Sequence, residues 1–173
     1  AILVTLIMSA GIGLINGSIL AFTTLPPFIV TLSTQMIIRG TAYIFTDGYP
    51  VSSENETFNN IGTGRLTFNV FGTEIQIPYT VFILIAMFII FGIILHKTKF
   101  GRHIYAVGGN REAAIHAGIN VKKVRMVVYS IGACLAGLAG ILLASRMRSG
   151  QPTTGVGFEG EAIASAVLGG VSF

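Results

Sequence analysis

The sequence predicts an all-α membrane protein, a polytopic helical bundle. Hydrophobic residues make up 52% of the 173 residues and charged residues only 10%, whereas soluble domains carry about 25% charged residues. Several apolar stretches approach the ~20 residues that a helix needs to cross the ~30 Å hydrocarbon core of a bilayer. The few charges are also sorted by sign between loops, which is typical of a chain that threads a membrane.

Four spans are predicted in one transmembrane domain covering 1–173, at about 1–22, 27–45, 78–95 and 126–145. Pro26 and Pro27 separate the first two, because proline ends one helix and is well placed to start another. The third span has no charge at all. Both ends of the sequence fall inside apolar stretches, so we expect an internal fragment of a longer protein.

The loop at about 96–125 is strongly basic, with one acid, Glu112, against Lys97, Lys99, Arg102, Arg111, Lys122, Lys123 and Arg125. The positive-inside rule predicts that this loop is cytoplasmic. This explanation is simpler than nucleic-acid binding, so no nucleic-acid partner is predicted. Arg146 and Arg148 then fall outside, against the rule, and we expect them to pair with Glu159 and Glu161.

The loop at about 47–77 is acidic and is joined to the basic loop by one span, so it is predicted to lie on the opposite, outer side of the membrane. Its turn-forming pairs include Asn59-Asn60, where we expect a turn. Leu66–Val70 and Glu74–Ile77 alternate apolar and polar residues, which predicts a short β-hairpin around Phe71-Gly72-Thr73.

Small residues recur every fourth position on two spans, and this spacing lets helices approach closely in lipid. On the first span they include Gly13 and Gly17. On the fourth they include Gly132, Ala136 and Gly140. We predict that these faces pack against other helices, with membrane lipid around the bundle.

The second span carries a polar stripe, Thr31, Gln35 and Arg39, also at every fourth residue. A charge inside a membrane helix faces protein or water rather than lipid. The stripe therefore either lines a pathway for a polar solute, or bonds a neighbouring helix while Arg39 reaches the headgroups.

No catalytic set is recognisable. The sequence has no phosphate-binding loop ending in Gly-Lys-Ser/Thr, no zinc-binding His/Glu pair at helical spacing and no Gly-x-Ser-x-Gly elbow. Gly155, Gly157 and Gly160 match a dinucleotide motif but follow a membrane span rather than a strand. We predict no enzyme activity, no cofactor and no metal.

The basic loop contains a predicted short helix, Arg111 to Ala117. Gly108-Gly109 precede it, Asn110 is a good N-cap, Glu112 suits the positive helix start, and Gly118 suits its end. Such a helix either receives a partner protein or rests on anionic headgroups.

Three segments together resemble the permease subunit of bacterial ABC sugar importers of the ribose/galactose family. They are Gly13-Leu-Ile-Asn-Gly17 with Pro26-Pro-Phe-Ile-Val-Thr-Leu32, Tyr105-Ala-Val-Gly-Gly-Asn110 with Gly118-Ile-Asn-Val121, and Gly150-Gln-Pro-Thr-Thr-Gly-Val-Gly157 with Val167-Leu-Gly-Gly170. The resemblance implies a helical fold of the vitamin-importer type. It also implies an ATPase-coupling loop that includes Gly108, Gly109, Asn110, Glu112, Ala113, Ala114 and Gly118.

The same resemblance implies a bacterial inner-membrane protein that imports a monosaccharide such as ribose or galactose. Its implied partners are an ABC ATPase subunit, a second permease copy in a homodimer or related heterodimer, and a periplasmic sugar-binding protein. The pathway is assigned to Thr31, Gln35, Arg39, Glu159 and Glu161. Phe158-Glu159-Gly160-Glu161 departs from the family's aromatic-Glu-Leu-Asp, which leaves specificity open. The alternatives are an ATP-independent carrier or channel, or an ABC permease for an amino acid or a signalling molecule.

Overall fold

A computed structural model describes residues 1–70 and 73–171. In chain order its elements are α1 (Ile2–Phe22), α2 (Pro27–Thr46), β1 (Val51–Ser52), α3 (Glu56–Thr63), β2 (Arg65–Val70), β3 (Thr73–Pro78), α4 (Tyr79–Lys97), α5 (Lys99–Gly109), α6 (Arg111–His116), α7 (Val121–Met147), β4 (Ser149–Gly150) and α8 (Phe158–Leu168). Among the described residues, α1, α2, α4 and α7 are long and apolar enough to cross a membrane. The predicted polytopic helical fold is therefore confirmed.

The centre of the fold is an antiparallel pair, α1 and α7. A Cβ added at Gly13 would lie 2.5 Å from the carbonyl oxygen of Tyr129 and 2.7 Å from the Cβ of Ala133. One turn further on, a Cβ at Gly17 would lie 2.7 Å from the Cα of Met126. The two backbones touch at these glycines, so their missing side chains allow the close approach.

Polar groups fasten the same pair. The hydroxyl of Ser130 donates to the carbonyl oxygen of Ala10 at 3.0 Å, and Nη1 of Arg125 donates to that of Leu20 at 2.9 Å. Arg125 thus satisfies a carbonyl in the last turn of α1, where a positive charge also complements the helix dipole. The ammonium of Lys122 lies 4.6 Å from the centre of the Phe22 ring.

Helices α2 and α4 are packed much less closely. Val30 is the single buried residue of α2, and α4 has none among the described residues. Because both helices are apolar and exposed in the isolated chain, their surfaces suit lipid or further helices.

The acidic loop folds onto the C-terminal end of α7. The strands β2 and β3 pair in an antiparallel hairpin with Leu66 opposite Ile77, as predicted, and Phe71 and Gly72 of its expected turn lie outside the described residues. Strand β1 pairs with β4, with Val51 opposite Gly150.

The turn predicted at Asn59-Asn60 is wrong, because helix α3 runs through both residues. The side-chain amides of Asn55 and Asn59 cap and anchor this helix. Oδ1 of Asn55 accepts from the N–H of Phe58 at 3.1 Å, and Nδ2 of Asn59 donates to the carbonyl of Ser53 at 2.9 Å.

The basic loop folds onto the N-terminal end of α7. It contains α5, which was not predicted, and α7 begins at Val121 rather than at residue 126. The earlier start has a local cause, since Oδ1 of Asn120 accepts from the N–H of Lys123 at 3.0 Å and caps the helix. The acidic and basic loops therefore lie at opposite ends of α7.

Candidate functional site

An open groove of about 400 Å³ separates α1 from α2. Its polar lining comes from three places in the sequence: Asn16 on α1, Thr31, Thr34, Gln35 and Arg39 on α2, and Gln151 after β4. All but Arg39 are neutral groups that donate or accept hydrogen bonds. The predicted stripe Thr31, Gln35 and Arg39 thus lies along one wall of one groove.

The depth of these residues follows from helix geometry. At ~1.5 Å per residue, Gln35 lies ~12 Å and Arg39 ~18 Å from the start of α2 at Pro27. Since α2 is 20 residues long, Gln35 lies near its middle. The groove therefore reaches the middle of a candidate membrane span.

The segment from Gln151 to Gly157 returns from the end of α7 to this groove without regular structure. Turns fold it back, with the N–H of Thr154 donating to Gln151 at 3.1 Å and that of Phe158 to Gly155 at 3.3 Å. Gly155 and Gly157 have φ of +79° and +89°, which a side chain would disfavour. Irregular backbone at membrane depth is tolerated where it lines a cavity.

Glu159 lies in the first turn of α8, close enough to Gln35 and Arg39 for both to act on its carboxyl. The backbone N–H of Glu159 itself lowers the pKa of this carboxyl below the usual value, and the Gln35 side chain and the Arg39 charge act in the same direction. Arg39, and neither Arg146 nor Arg148, is the cation that acts on this carboxyl, so the expected pairing of Glu159 with Arg146 or Arg148 is wrong. Glu159 and Glu161 are both exposed on α8, and neither is part of the groove lining.

The predicted coupling residues form a short helix that is capped at both ends. Oδ1 of Asn110 accepts from the N–H of Ala113 at 3.0 Å at the start of α6. At its end, Gly118 has φ of +78° and the N–H of Ile119 bonds the carbonyl of Ala114 at 3.0 Å, a closure that suits glycine. These contacts give α6 a fixed shape although it has only 6 residues.

One buried residue determines which surface of α6 is exposed. Ala114 is buried, whereas Glu112, Ala113 and Ile115 are exposed. Gly108 and Gly109 are also exposed, at the end of α5. The two glycines that precede α6 are therefore the last residues of α5, and Asn110 both ends α5 and caps α6.

The predicted packing residues divide into two groups. Gly13 and Gly17 lie at the contact with α7. Gly132, Ala136 and Gly140 lie instead on an exposed face of α7. Helix α7 meets α1 through the neighbouring face that carries Met126, Ser130, Ala133 and Gly137, so packing by the 132–140 face stays a prediction.

Three polar residues of the groove were not predicted from the sequence: Asn16, Thr34 and Gln151. Of these three, Asn16 could have been found from the sequence, because a side-chain amide in an otherwise apolar helix must find a partner. Thr34 and Gln151 carry no comparable signal, since only the fold brings them to Asn16 and Arg39.

Comparison with known proteins agrees with this architecture. The chain matches, over residues 1–173, the family described as branched-chain amino acid transport system / permease component. No solved structure gives a significant match.

Curated relatives are about 40% identical. The L-arabinose transport system permease protein AraH of Escherichia coli (strain K12) is 42% identical over 91% of this chain and 46% of its own length. The ribose import permease protein RbsC is 40% identical in Bacillus subtilis (strain 168), over 91% of this chain and 47% of that protein. RbsC of Escherichia coli (strain K12) is also 40% identical, over 99% of this chain and 52% of that protein.

The chain spans about half the length of these relatives. The family match over all 173 residues of this chain and the four apolar helices establish a multi-pass membrane protein. The chain belongs to the family of branched-chain amino acid transport system permease components, and within that family it is similar to sugar permeases.

Proposed function

We propose that this chain is part of the permease subunit of an ABC importer for a monosaccharide such as ribose, galactose or arabinose. The observation that carries the proposal is the identity of about 40% to permeases named for ribose and arabinose. The groove supports it, because a neutral, hydroxyl-rich solute is best matched by neutral donors and acceptors such as Gln35 and Thr31. Several weak contacts also allow release as well as binding.

In this proposal α6 couples the permease to an ABC ATPase in the cytoplasm. A helix transmits force only if it keeps its shape, and the caps at Asn110 and Gly118 hold α6 at both ends. Its exposed Ala113 and Ile115 offer a small apolar surface for a protein groove. Since the loop joins α4 to α7, movement of α6 would be passed to both helices.

Other surfaces suit the remaining partners. The end of the molecule that carries α3 and the hairpin would receive a periplasmic sugar-binding protein. The exposed apolar face of α4 and the small-residue face of α7 around Gly132 and Gly140 would meet missing helices or a second permease copy in the bacterial inner membrane. ATP hydrolysis would belong to the partner chain, so the permease itself would not be an enzyme.

The test replaces Gly108–Gly118 by a Gly/Ser linker in the full-length permease, co-expressed with its ATPase and binding protein. We expect the ATPase to co-purify with the wild type but not with the linker variant, and uptake of labelled ribose to fall to background. The double variant Lys97→Ser with Lys99→Ser is the control, because it removes charge from the same loop without touching α6. ATP-independent uptake by both proteins would instead indicate a carrier or channel.

A second solute class is favoured by one residue. Arg39 brings a positive charge to the groove wall, and a guanidinium pairs well with a carboxylate. The family description also names branched-chain amino acids. If the reconstituted wild type takes up labelled leucine but not labelled ribose, and Arg39→Gln abolishes the leucine uptake, the solute is an amino acid.

A further inference from the structure

Asn16 makes an incomplete set of hydrogen bonds on the groove wall. Its residue is only 9% exposed, and the hydroxyl of Thr34 lies 2.6 Å from its Oδ1. The same hydroxyl also lies 3.0 Å from the carbonyl oxygen of Val30, so this carbonyl and Oδ1 of Asn16 compete for its one proton. Within the described residues, no protein group bonds the amide nitrogen, and Asn16 lines the groove.

The amide nitrogen of Asn16 is accessible, because among the described residues the fully buried side-chain polar atom without a partner is Oδ1 of Asn59. The groove is the open space beside Asn16, so a solute in the groove can reach this nitrogen. A solute group that takes the place of water there keeps its affinity only if it reproduces the hydrogen bond of that water.

We infer that Asn16, oriented by Thr34, is a solute-contacting and specificity-determining residue, and that its partner is a hydroxyl of a neutral polyhydroxylated solute. The inference rests on the proposed function and names the chemistry of its groove. A hydroxyl both donates and accepts, so it satisfies a side-chain amide. Gln35 and Gln151 place two further amides along the same groove.

The position of Asn16 on α1 makes it suited to this role. It lies between Gly13 and Gly17, where α1 touches the backbone of α7, so its own backbone is fixed. Thr34 is on α2, most of whose residues are exposed. The hydroxyl of Thr34 therefore orients an amide whose main chain already has a set position.

The test measures transport and ATP hydrolysis separately. The full-length permease is reconstituted in vesicles with its ATPase and binding protein, and uptake of labelled ribose and 2-deoxyribose is measured with the ATPase rate. For Asn16→Ala we expect ribose uptake per ATP to fall about fivefold to tenfold, as for one lost hydrogen bond. The preference for ribose over 2-deoxyribose should change, and the ATPase should still respond to the loaded binding protein.

Two substitutions of Thr34 test the role of its hydroxyl. Thr34→Val should reproduce the loss, and Thr34→Ser should restore transport because it keeps the hydroxyl. Ser33→Ala is the matched control, since Ser33 is exposed one position away and its hydroxyl bonds only the carbonyl of Ile29 at 2.8 Å. We expect Ser33→Ala to transport as the wild type does.

Two results would overturn the inference. One is an Asn16→Ala permease with normal uptake per ATP and an unchanged preference between the two sugars. The other is an equal fall in uptake and ATPase rate in Asn16→Ala and Thr34→Val, which would indicate a purely structural role. If Asn16→Ala does not fold, Thr34→Val against Thr34→Ser decides by the same readouts. Absence of ATP-driven uptake in the wild type would reject the proposed function itself.

Discussion

Helix α1 has two contrasting neighbours. Towards α7 its backbone is in close contact through Gly13 and Gly17. Towards α2 it leaves an open groove, and among the described residues one side-chain hydrogen bond, from Thr34 to Asn16, joins the two helices. The contrast separates a rigid pair, α1 with α7, from a helix, α2, that has room to move against it.

The two ends of α7 differ in the same way. At its C-terminal end α7 holds the acidic loop through Ser145, and at its N-terminal end it carries the basic loop with α6. A displacement of α6 would therefore act first on α7 and, through the close contact, on α1. The groove lies between this pair and α2, so a shift of the pair relative to α2 would change the width of the groove.

The largest expected effect comes from forcing the α1–α7 contact apart. Gly13→Ala places a Cβ against backbone atoms of α7, which cannot move aside as a flexible side chain would. We expect a loss of about 3 kcal/mol, at the upper end for overpacking. Gly11→Ala is the control, because nothing lies within 4 Å of its added Cβ. Both variants are purified in detergent and heated, and the temperature at which half of the monodisperse permease is lost is recorded. Equal temperatures for the two variants would contradict the described contact.

The next effect concerns the C-terminal end of α7. Ser145 is 0% exposed, and its hydroxyl donates to the carbonyl of Phe58 at 2.6 Å and accepts from the N–H of Gly62 at 2.7 Å. Ser145→Val leaves both groups without that partner, at a cost of about 2 kcal/mol. The acidic loop should become protease-sensitive, whereas in Ser149→Ala it should stay resistant. Resistance in both variants would show that Ser145 does not hold α3.

A smaller effect is expected where the N-terminal end of α7 meets the C-terminal end of α1. Arg125→Ala removes the bond to the carbonyl of Leu20, and this partly exposed contact should be worth about 1 kcal/mol. Lys123→Ala removes an exposed charge of the same helix and should leave the melting temperature unchanged. Equal shifts for both variants would mean that net charge, rather than the bond, sets the effect.

The smallest stability effect belongs to the groove. Gln35→Ala removes a half-exposed side chain from an open wall, so the melting temperature should change by the equivalent of about 0.5 kcal/mol or less. Its ribose uptake should nevertheless fall. A large destabilisation without a change in uptake per ATP would reassign Gln35 to helix packing.

The pattern of apolar and polar residues in the sequence was sufficient to predict much of the fold and part of the groove. The four spans follow from apolar length, and the alignment of Thr31, Gln35 and Arg39 follows from helical spacing. The contact face of α7 did not follow, because α7 carries two neighbouring small-residue faces and only one meets α1. The place of Glu159 did not follow either, since it depends on an irregular segment whose path is set by turns and two glycines with positive φ.

The most direct test of the pathway is the water accessibility of α2. Single cysteines are placed at Gln35 and at the adjacent Met36, which is exposed away from the groove lining, in a full-length permease with its native cysteines, Cys134 included, replaced. A charged, membrane-impermeant thiol reagent is applied to the assembled transporter. We expect the cysteine at position 35 to react and to be protected when the sugar-loaded binding protein and ATP are added, while the cysteine at position 36, facing lipid, stays unreacted. Equal reaction at both positions, or reaction at position 36 alone, would contradict a solute pathway between α1 and α2.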